Sequence, residues 1–405
     1  MPMLDVLAWT LALVPGGALL YFSAEVLLGL KPLDRFGLPA GGSASPDLAV
    51  LIPAHNEAAV IGRTLARLEG MLPAGTRTLV VADNCDDDTA AIGRRCGADV
   101  VERNDRARHG KGYALAFGRD WLARSPPEAV IVLDADCELA PGSAAALAHT
   151  AIECRAAQAV NLQQAYAAAS PLVQISNFAI LIKNLVRARG VQRIAGGIPL
   201  FGTGMAFSWE TFAHADLASD HLAEDMQLAI DLGRAGTRAR LEEGASVTSG
   251  CAGVADTIQQ RRRWEGGFLQ IAVSQALPLV AEGIRARSRH LLGLGLHLLV
   301  PPLALLFLMA LGGLAALLAF GLGGQVWGPF IALLAALTTA SAAVFAAWLV
   351  AGRRMLPLRS LLLAPAYLAW KLPLYLGFIV TRKGRWTRTR RPGEPATVDA
   401  SDTRS

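Results

Sequence analysis

Two aspartates separated by one residue, Asp134 and Asp136, end the apolar run Ile-Val-Leu at 131–133. A buried strand that stops in Asp-x-Asp sets two carboxylates at its mouth, where they can hold a hard divalent cation that in turn neutralises a diphosphate. Taken alone, such a pair is more often a solvated turn, because Asp favours turns. Its company changes that balance. Pro53-Ala-His-Asn-Glu57 closes a second apolar run, with Asn56 placed to cap a following helix. Asp83-Asn-Cys-Asp-Asp-Asp88 closes a third and packs four carboxylates into six residues. They repel one another unless caps, cations or ligand donors satisfy them; a base and ribose carry such donors, and ionised carboxylates only accept. Arg108-His-Gly-Lys111-Gly lacks P-loop spacing and on its own is a basic turn. Glu224-Asp225 on its own is an acidic helix start, and Gln260-Arg-Arg-Arg263-Trp264 a basic helix against lipid headgroups.

The elements that carry these groups alternate. Short apolar runs predict strands over 48–53, 78–83, 99–102 and 129–133, and the stretches between and after them predict helices over 58–72, 87–96, 111–123 and 143–154. Strand, helix, strand at this spacing specifies an α/β fold with a mostly parallel central sheet covered by helices, in which ligands bind beyond the carboxyl ends of the strands. Three of the four strands run directly into polar clusters at that end. Past Ala165 the alternation weakens; 172–187 reads as a helix, and this half is expected to build the acceptor side.

Charge and hydropathy place the rest of the 405 residues. A mean hydropathy of +0.38 is high for a soluble enzyme. No Asp, Glu, Lys or Arg occurs from Leu291 to Gly352, room for two membrane spans at about 291–320 and 325–350. Residues 6–30 are apolar apart from Glu25 and lack a basic, cleavable leader pattern, so 1–38 is read as a retained anchor. Residues 39–46 form a Pro/Gly/Ser linker, 47–285 the catalytic domain, and 286–381 a carboxyl-terminal membrane region. Within it, 361–380 contains Lys371, Pro365 and Pro373 and is expected to lie as a broken interfacial or re-entrant element. Of the net charge of +5, the tail 382–405 contributes +4, which points to anionic headgroups on the cytosolic face rather than to nucleic acid. Five dispersed cysteines, Cys85, Cys96, Cys137, Cys154 and Cys251, fit a reducing compartment and form no zinc spacing.

The ordered motifs Pro-Ala-His-Asn-Glu, Ala-Asp-Asn-Cys-Asp-Asp-Asp-Thr, Gly-Lys-Gly-Tyr-Ala-Leu, Asp-Ala-Asp, Gly202-Thr-Gly-Met, Glu224-Asp225 and Gln260-x-x-Arg263-Trp264 resemble family 2 glycosyltransferases. Within these the chain is most similar to the membrane-bound branch of cellulose, chitin and hyaluronan synthases and ceramide glucosyltransferases. The resemblance covers about residues 47–270. It implies a GT-A type nucleotide-sugar-binding domain plus transmembrane helices, in an integral protein of a bacterial-type plasma membrane with its catalytic domain in the cytosol. By the same resemblance, Glu57 and Asp83 contact the nucleoside, with uridine expected in the donor, and Lys111 lies near it or the phosphates. Asp134 and Asp136 carry Mg²⁺ or Mn²⁺ on the diphosphate. Asp225 is the general base of an inverting displacement, beside Glu224 in the substrate site; Arg263 stabilises the leaving diphosphate, and Gln260 and Trp264 line the acceptor side. Two positions depart from the pattern: Ala223 where many relatives have Thr, and Asp86 where a small hydroxyl residue is common.

The expected partners are therefore a nucleotide sugar, a lipid, lipid-linked or glycan acceptor, and the membrane. About three convincing spans favour one-sugar transfer to a lipid over a processive polysaccharide synthase, whose export pore an oligomer or partner subunit would have to complete. A catalytically silent binding protein on the same fold conflicts with the joint presence of Asp134, Asp136, Asp225 and Arg263. A transporter would carry intramembrane charges between Leu291 and Gly352.

Overall fold

The structure is a computed structural model, described here for residues 2–34, 46–163, 170–219, 221, 223–249, 254–323 and 327–380. Most of the linker, Cys251 and the basic tail fall outside the described residues.

The sheet-forming part opens with β1 (Leu48–Ala54), α2 (Ile61–Glu69), β2 (Arg77–Asp83), α3 (Thr89–Arg95), β3 (Asp99–Arg103), α4 (Lys111–Leu122) and β4 (Ala129–Val132), after the amino-terminal helix α1 (Pro2–Leu28). It continues through β5 (Cys137–Leu139), α5 (Ser143–Cys154), β6 (Ala156–Gln163), α6 (Pro171–Leu181), a π-helical turn (Ile182–Arg187), α7 (Ala188–Ala195), β7 (Met205–Ser208), α8 (Trp209–His214), α9 (Glu224–Arg234) and β8 (Arg240–Ser249). The eight strands form one sheet in the order β3-β2-β1-β4-β7-β6-β8-β5. β1 to β4 pair in parallel, β7 runs antiparallel to both β4 and β6, and β5 runs antiparallel to β8. The sheet is thus parallel where sequence alternation is regular and mixed where it fades.

Side chains alternate across this sheet with the two-residue period of a strand. Ala49 and Leu51 of β1, Leu79 and Val81 of β2, and Val130 and Val132 of β4 meet Leu115 and Leu122 of α4 on one face. Leu48, Val50 and Ile52, with Val80 and Ile131, meet Leu65 and Leu68 of α2 and Leu147 of α5 on the other. Each fully buried Leu or Ile here contributes about 1.5–3 kcal/mol of transfer free energy, which makes the sheet a rigid support for the loops at its mouth.

The carboxyl-terminal part consists of α10 (Val254–Arg285), α11 (Arg289–Leu298), α12 (Leu303–Leu322), α13 (Gly328–Ala347) with a π-helical continuation (Trp348–Gly352), α14 (Leu358–Leu361) and α15 (Ala364–Val380). Among the described residues, four helices are long and apolar enough to cross a membrane: Leu4–Leu28, Gln260–Arg285, Leu303–Leu322 and Gly328–Gly352. The apolar stretch expected as one span over 291–320 is two helices, because Pro301 and Pro302 cannot supply the amide hydrogens that would continue α11. The helix expected over 172–187 likewise changes to π geometry at Ile182. Residues 364–380 form a single helix that runs through Pro373.

Both charges that interrupt the apolar segments are buried against partners. Glu25 of α1 is fully buried; it accepts from Arg187 Nε at 2.6 Å and lies 2.7 Å from His297 Nδ1. Lys371 of α15, 1% exposed, donates to Glu265 of α10 at 2.7 Å. An ion facing hydrocarbon is costly, whereas an ion paired inside the protein is retained. Each pair ties an apolar helix to a segment lining the cavity described next. The crossing of α1 over α7 is close: a Cβ on Gly190 would sit within 3 Å of the Glu25 backbone, so glycine is required there.

Candidate active site

Parallel pairing brings the carboxyl ends of β1, β2 and β4 to one mouth. The strand ends turn by means of Asn56 and Asn84, both in the left-handed region at φ 54° and 50°, which Asn tolerates better than most residues. Asn56 does not cap α2 as the sequence led us to expect; its Oδ1 accepts from the Asp86 amide at 2.8 Å and joins the first loop to the second. The acidic cluster is satisfied from within. Asp83 accepts from Arg103 at 2.6 Å, Asp86 from Arg106 at 2.6 Å, and Asp87 from the amides of Thr89 at 3.0 Å and Ala58 at 3.1 Å. Arg103 was not picked out in the sequence, yet it ends β3 in register with Asp83 at the end of β2, so strand-end alignment was the available signal.

The Asp134-Ala135-Asp136 loop is held from three sides. Thr64 of α2 donates to Ala135 O at 2.7 Å, the Asp134 amide donates to Thr203 Oγ1 at 3.1 Å, and Lys111 Nζ donates to Asp134 Oδ1 at 2.5 Å. Lys111 also donates to the carbonyl of Gly202. Gly202 and Gly204 sit at φ 82° and 67°, and a Cβ on Gly204 would come within 3 Å of Val247 and Ala159. Glycine is therefore dictated twice in this turn. Its rigidity comes from Gln158, fully buried on β6, which accepts from the Phe201 amide at 2.9 Å and donates to Thr203 O at 2.8 Å. Gln158 was also missed, although a glutamine amid Ala-Ala-x-Ala-Val is a visible anomaly in an apolar strand. Replacing Gln158 by Leu leaves Phe201 N and Thr203 O without that partner, at about 1–3 kcal/mol each. We expect the variant to unfold at a lower temperature in detergent and, as the turn shifts, to lose about 10²-fold in turnover; an unchanged melting point and rate would show that the turn is held elsewhere.

Asp134, Asp136 and Cys137 offer ligand atoms within 4.8 Å of one another. Burial, with Asp136 and Asp134 adding to it, pushes the Cys137 thiol well above its ordinary value. A thiol is in any case a soft donor, which leaves a carboxylate set that fits a hard cation such as Mg²⁺ or Mn²⁺. Glu224 and Asp225 begin α9 inside the same cavity rather than on an exposed helix end. Burial pushes Asp225 up against the opposing pull of Lys183 and Lys111. Burial likewise raises Glu224, to about 7, with Lys111 opposing and Asp225 reinforcing. For Lys111 burial acts downward, but Asp134 and Glu224 outweigh it, and the ammonium ends above its ordinary value. Gln260, Arg263 and Trp264 fall at i, i+3 and i+4 of α10 and share one helix face; Arg261 stacks its guanidinium 4.8 Å from the Trp264 ring centre.

All ten residues singled out for the site, Glu57, Asp83, Lys111, Asp134, Asp136, Glu224, Asp225, Gln260, Arg263 and Trp264, line one cavity of about 1010 Å³. That cavity does not stop at the sheet. Its far wall is Pro301, Leu303 and Phe307 at the start of α12, Val344 of α13, and Leu361, Tyr367 and Leu368 of α14 and α15.

A GT-A sheet with carboxylates at its mouth is the architecture of nucleotide-sugar glycosyltransferases. Residues 129–380 match the model of glycosyl transferase family group 2, and residues 49–186 that of glycosyl transferase family 2. The chain belongs to glycosyltransferase family 2. Over 92 residues it is 34% identical to the dolichyl-phosphate hexose transferase of Haloferax volcanii, which covers 23% of this chain and 36% of that protein. Over 99 residues it is 36% identical to an uncharacterized glycosyltransferase of Mycobacterium tuberculosis, covering 24% of this chain and 41% of the other. The chain thus spans well under half the length of these curated relatives. Among solved structures, the mannosyltransferase PcManGT of Pyrobaculum calidifontis, in complex with GDP-Man and Mn²⁺, superposes with a TM-score of 0.54 at 21% identity, over 84% of this chain and 99% of that one. At that identity the likeness speaks for the fold.

Proposed function

We propose that the protein is a membrane-embedded, metal-dependent, inverting glycosyltransferase that moves a sugar from a nucleoside diphosphate sugar to a lipid or lipid-linked acceptor. The observation that carries this reading is the single cavity joining the carboxylates at the sheet mouth to the apolar starts of α12 and α15. A soluble acceptor needs no such apolar antechamber, whereas a lipid-borne one must pass its head from hydrocarbon to the donor. The names of a relative acting on dolichyl phosphate and of a fold neighbour with GDP-Man and Mn²⁺ agree with it.

In this reading Glu57 and Asp83 hold the nucleoside, and Lys111 with Arg263 faces the diphosphate. Asp134 and Asp136 would hold Mg²⁺ or Mn²⁺, which when bound supplies Lewis-acid stabilisation of the leaving diphosphate. The acceptor hydroxyl attacks the anomeric carbon in line; its proton passes to the Asp225 carboxylate, and the bond to the diphosphate breaks with its electron pair on the leaving group. Gln260 and Trp264 position the acceptor. The amino-terminal helix, α12 and α13 cross the membrane with the catalytic domain on the cytosolic side, in keeping with Arg353 and Arg354 after α13 and Arg285 and Arg287 before α11. The stripe of Val273, Leu277 and Ile284, exposed on α10, rests on the headgroup layer. Purified full-length protein in lipid nanodiscs, offered a panel of UDP- and GDP-hexoses, is expected to release nucleoside diphosphate and leave labelled sugar in the organic phase. Release of label only into water-soluble product would refute lipid transfer.

A further inference from the structure

Two buried amides near the base have an unused acceptor. Asn161 on β6 and Asn184 on the π-helical turn are 8% and 6% exposed, both line the cavity, and neither Oδ1 atom has a hydrogen-bond partner. Their orientation follows from their other ends. Asn161 Nδ2 donates to Phe201 O at 3.2 Å, and Asn184 Nδ2 donates to Asn161 O at 2.9 Å, so in each case the carbonyl oxygen is the end left over. An amide oxygen buried without a donor costs about 1–3 kcal/mol, and such groups are rare enough to need an explanation.

The position of the pair is informative. β6 runs in the same direction as β4, since β7 is antiparallel to both, so Asn161 sits toward the mouth that carries Asp134. Phe201, which Asn161 holds, precedes Gly202, where a Cβ would lie 3.3 Å from Asp225 Oδ2. Asn184 comes from the turn that also carries Lys183, whose ammonium lies 5.9 Å from the Phe201 ring centre and opposes the burial of Asp225. In the sheet, β6 lies across β4 and β7 from β1 and β2, so Asn161 enters the shared cavity on the far side of Asp134 from Glu57 and Asp83. π-helical turns of this kind recur at functional sites.

Resting on the proposed function, we propose that Asn161 and Asn184 form a carbohydrate-reading subsite for the acceptor: their carbonyl oxygens take hydroxyl protons from a sugar unit carried at the head of the membrane lipid. The acceptor is then a glycosylated lipid, and the attacking group is a sugar hydroxyl. Its oxygen forms the new bond to the anomeric carbon of the donor, its proton goes to Asp225, and the nucleoside diphosphate leaves with the bonding pair. A bare lipid phosphate suits this corner poorly. Phosphate oxygens are acceptors and offer two carbonyl oxygens nothing to bind. Of the nearby cations, Arg187 is paired with Glu25 and Lys371 with Glu265, while the Lys183 ammonium faces the Phe201 ring and the Asp225 charge.

The test uses full-length protein in nanodiscs with the donor that it hydrolyses and three acceptors: monoglucosyl diacylglycerol, undecaprenyl-diphosphate-linked N-acetylglucosamine, and undecaprenyl phosphate. We expect transfer to a sugar-headed lipid in preference to the lipid phosphate. Asn161→Leu and Asn184→Leu should each raise the KM for the sugar-headed lipid by about tenfold or more, about 1.4 kcal/mol, and by a larger factor than they raise donor KM. Should either Leu variant fail to fold by thermal melting, Asn161→Ala and Asn184→Ser carry the same expectation. Preference for undecaprenyl phosphate, an unchanged acceptor KM, or a rise in donor KM as large as that in acceptor KM would overturn the subsite and leave the glycosyltransferase reading standing. Absence of nucleotide release with every donor, with or without lipid, would instead overturn both.

Discussion

Asp225→Asn is expected to abolish sugar transfer while leaving donor binding nearly intact. The reasoning starts from location: Asp225 lies at the first turn of α9, faces the cavity, and accepts the Met226 amide at 2.9 Å through Oδ1. That bond fixes one oxygen, and Gly202 is packed near the other. Asn keeps the shape but cannot take a proton from an acceptor hydroxyl. A positioned general base is worth about 10²–10⁴ in rate, or about 3–5 kcal/mol of barrier, so kcat should fall by that factor. Donor KM should move little, because the lost interaction is with the acceptor proton. The pH profile gives a second readout. Burial raises the Asp225 pKa, and the base works only when ionised. The rate of the parent enzyme should therefore climb with pH through an acid limb lying above the ordinary Asp value, then level off. Glu224, raised to about 7, titrates in the same region and the two should be read as a pair. A turnover within about tenfold of the parent would exclude Asp225 as the base.

Much of this arrangement was legible in the sequence because strand-end chemistry is local. An apolar strand followed at once by Asp134 or Asp83 tells both where the strand stops and what it presents, and the parallel topology then brings those ends together. What stayed hidden depends on contacts between distant segments. Gln158 and Thr203 are 45 residues apart yet hold one turn. Glu25 and His297 are 272 residues apart, so a lone acid in an apolar helix gave no hint that its partner was α11. In the sequence Lys371 reads as unfavourable in a lipid-facing helix. Glu265, the residue after Trp264, removes that penalty by pairing with it, and α15 thereby becomes a wall of the cavity. The mixed half of the sheet was obscure for a related reason: β7 is four residues long, and its pairing with β4 and β6 is fixed by the buried glycine turn before it rather than by any periodicity.

The second large effect is expected from Asp136→Asn. Asp134 already shares an oxygen with Lys111 at 2.5 Å, so changing it would disturb an ion pair as well as a ligand. Asp136 is the milder change: its Oδ1 accepts from Cys137 Sγ at 3.6 Å, a bond that an Asn Oδ1 can also accept. Its substitution keeps the side-chain volume and removes one of the two carboxylates that fit a hard cation, and the neighbouring Cys137 thiol is a soft donor that matches such a cation poorly. Lewis-acid stabilisation of a leaving diphosphate amounts to several kcal/mol, so turnover should fall on the order of 10³-fold or more. Mn²⁺ titration followed by electron paramagnetic resonance, with UDP or GDP present, should show a bound ion in the parent and none in the variant. Melting temperature should be unchanged within about 2 °C, because an exchange at a partly exposed mouth position breaks no core packing. Excess EDTA should silence the parent, and added Mn²⁺ or Mg²⁺ should restore it. Full activity in EDTA would remove the metal from the mechanism, and Lys111 and Arg263 would then be the groups left to carry the charge of the leaving diphosphate.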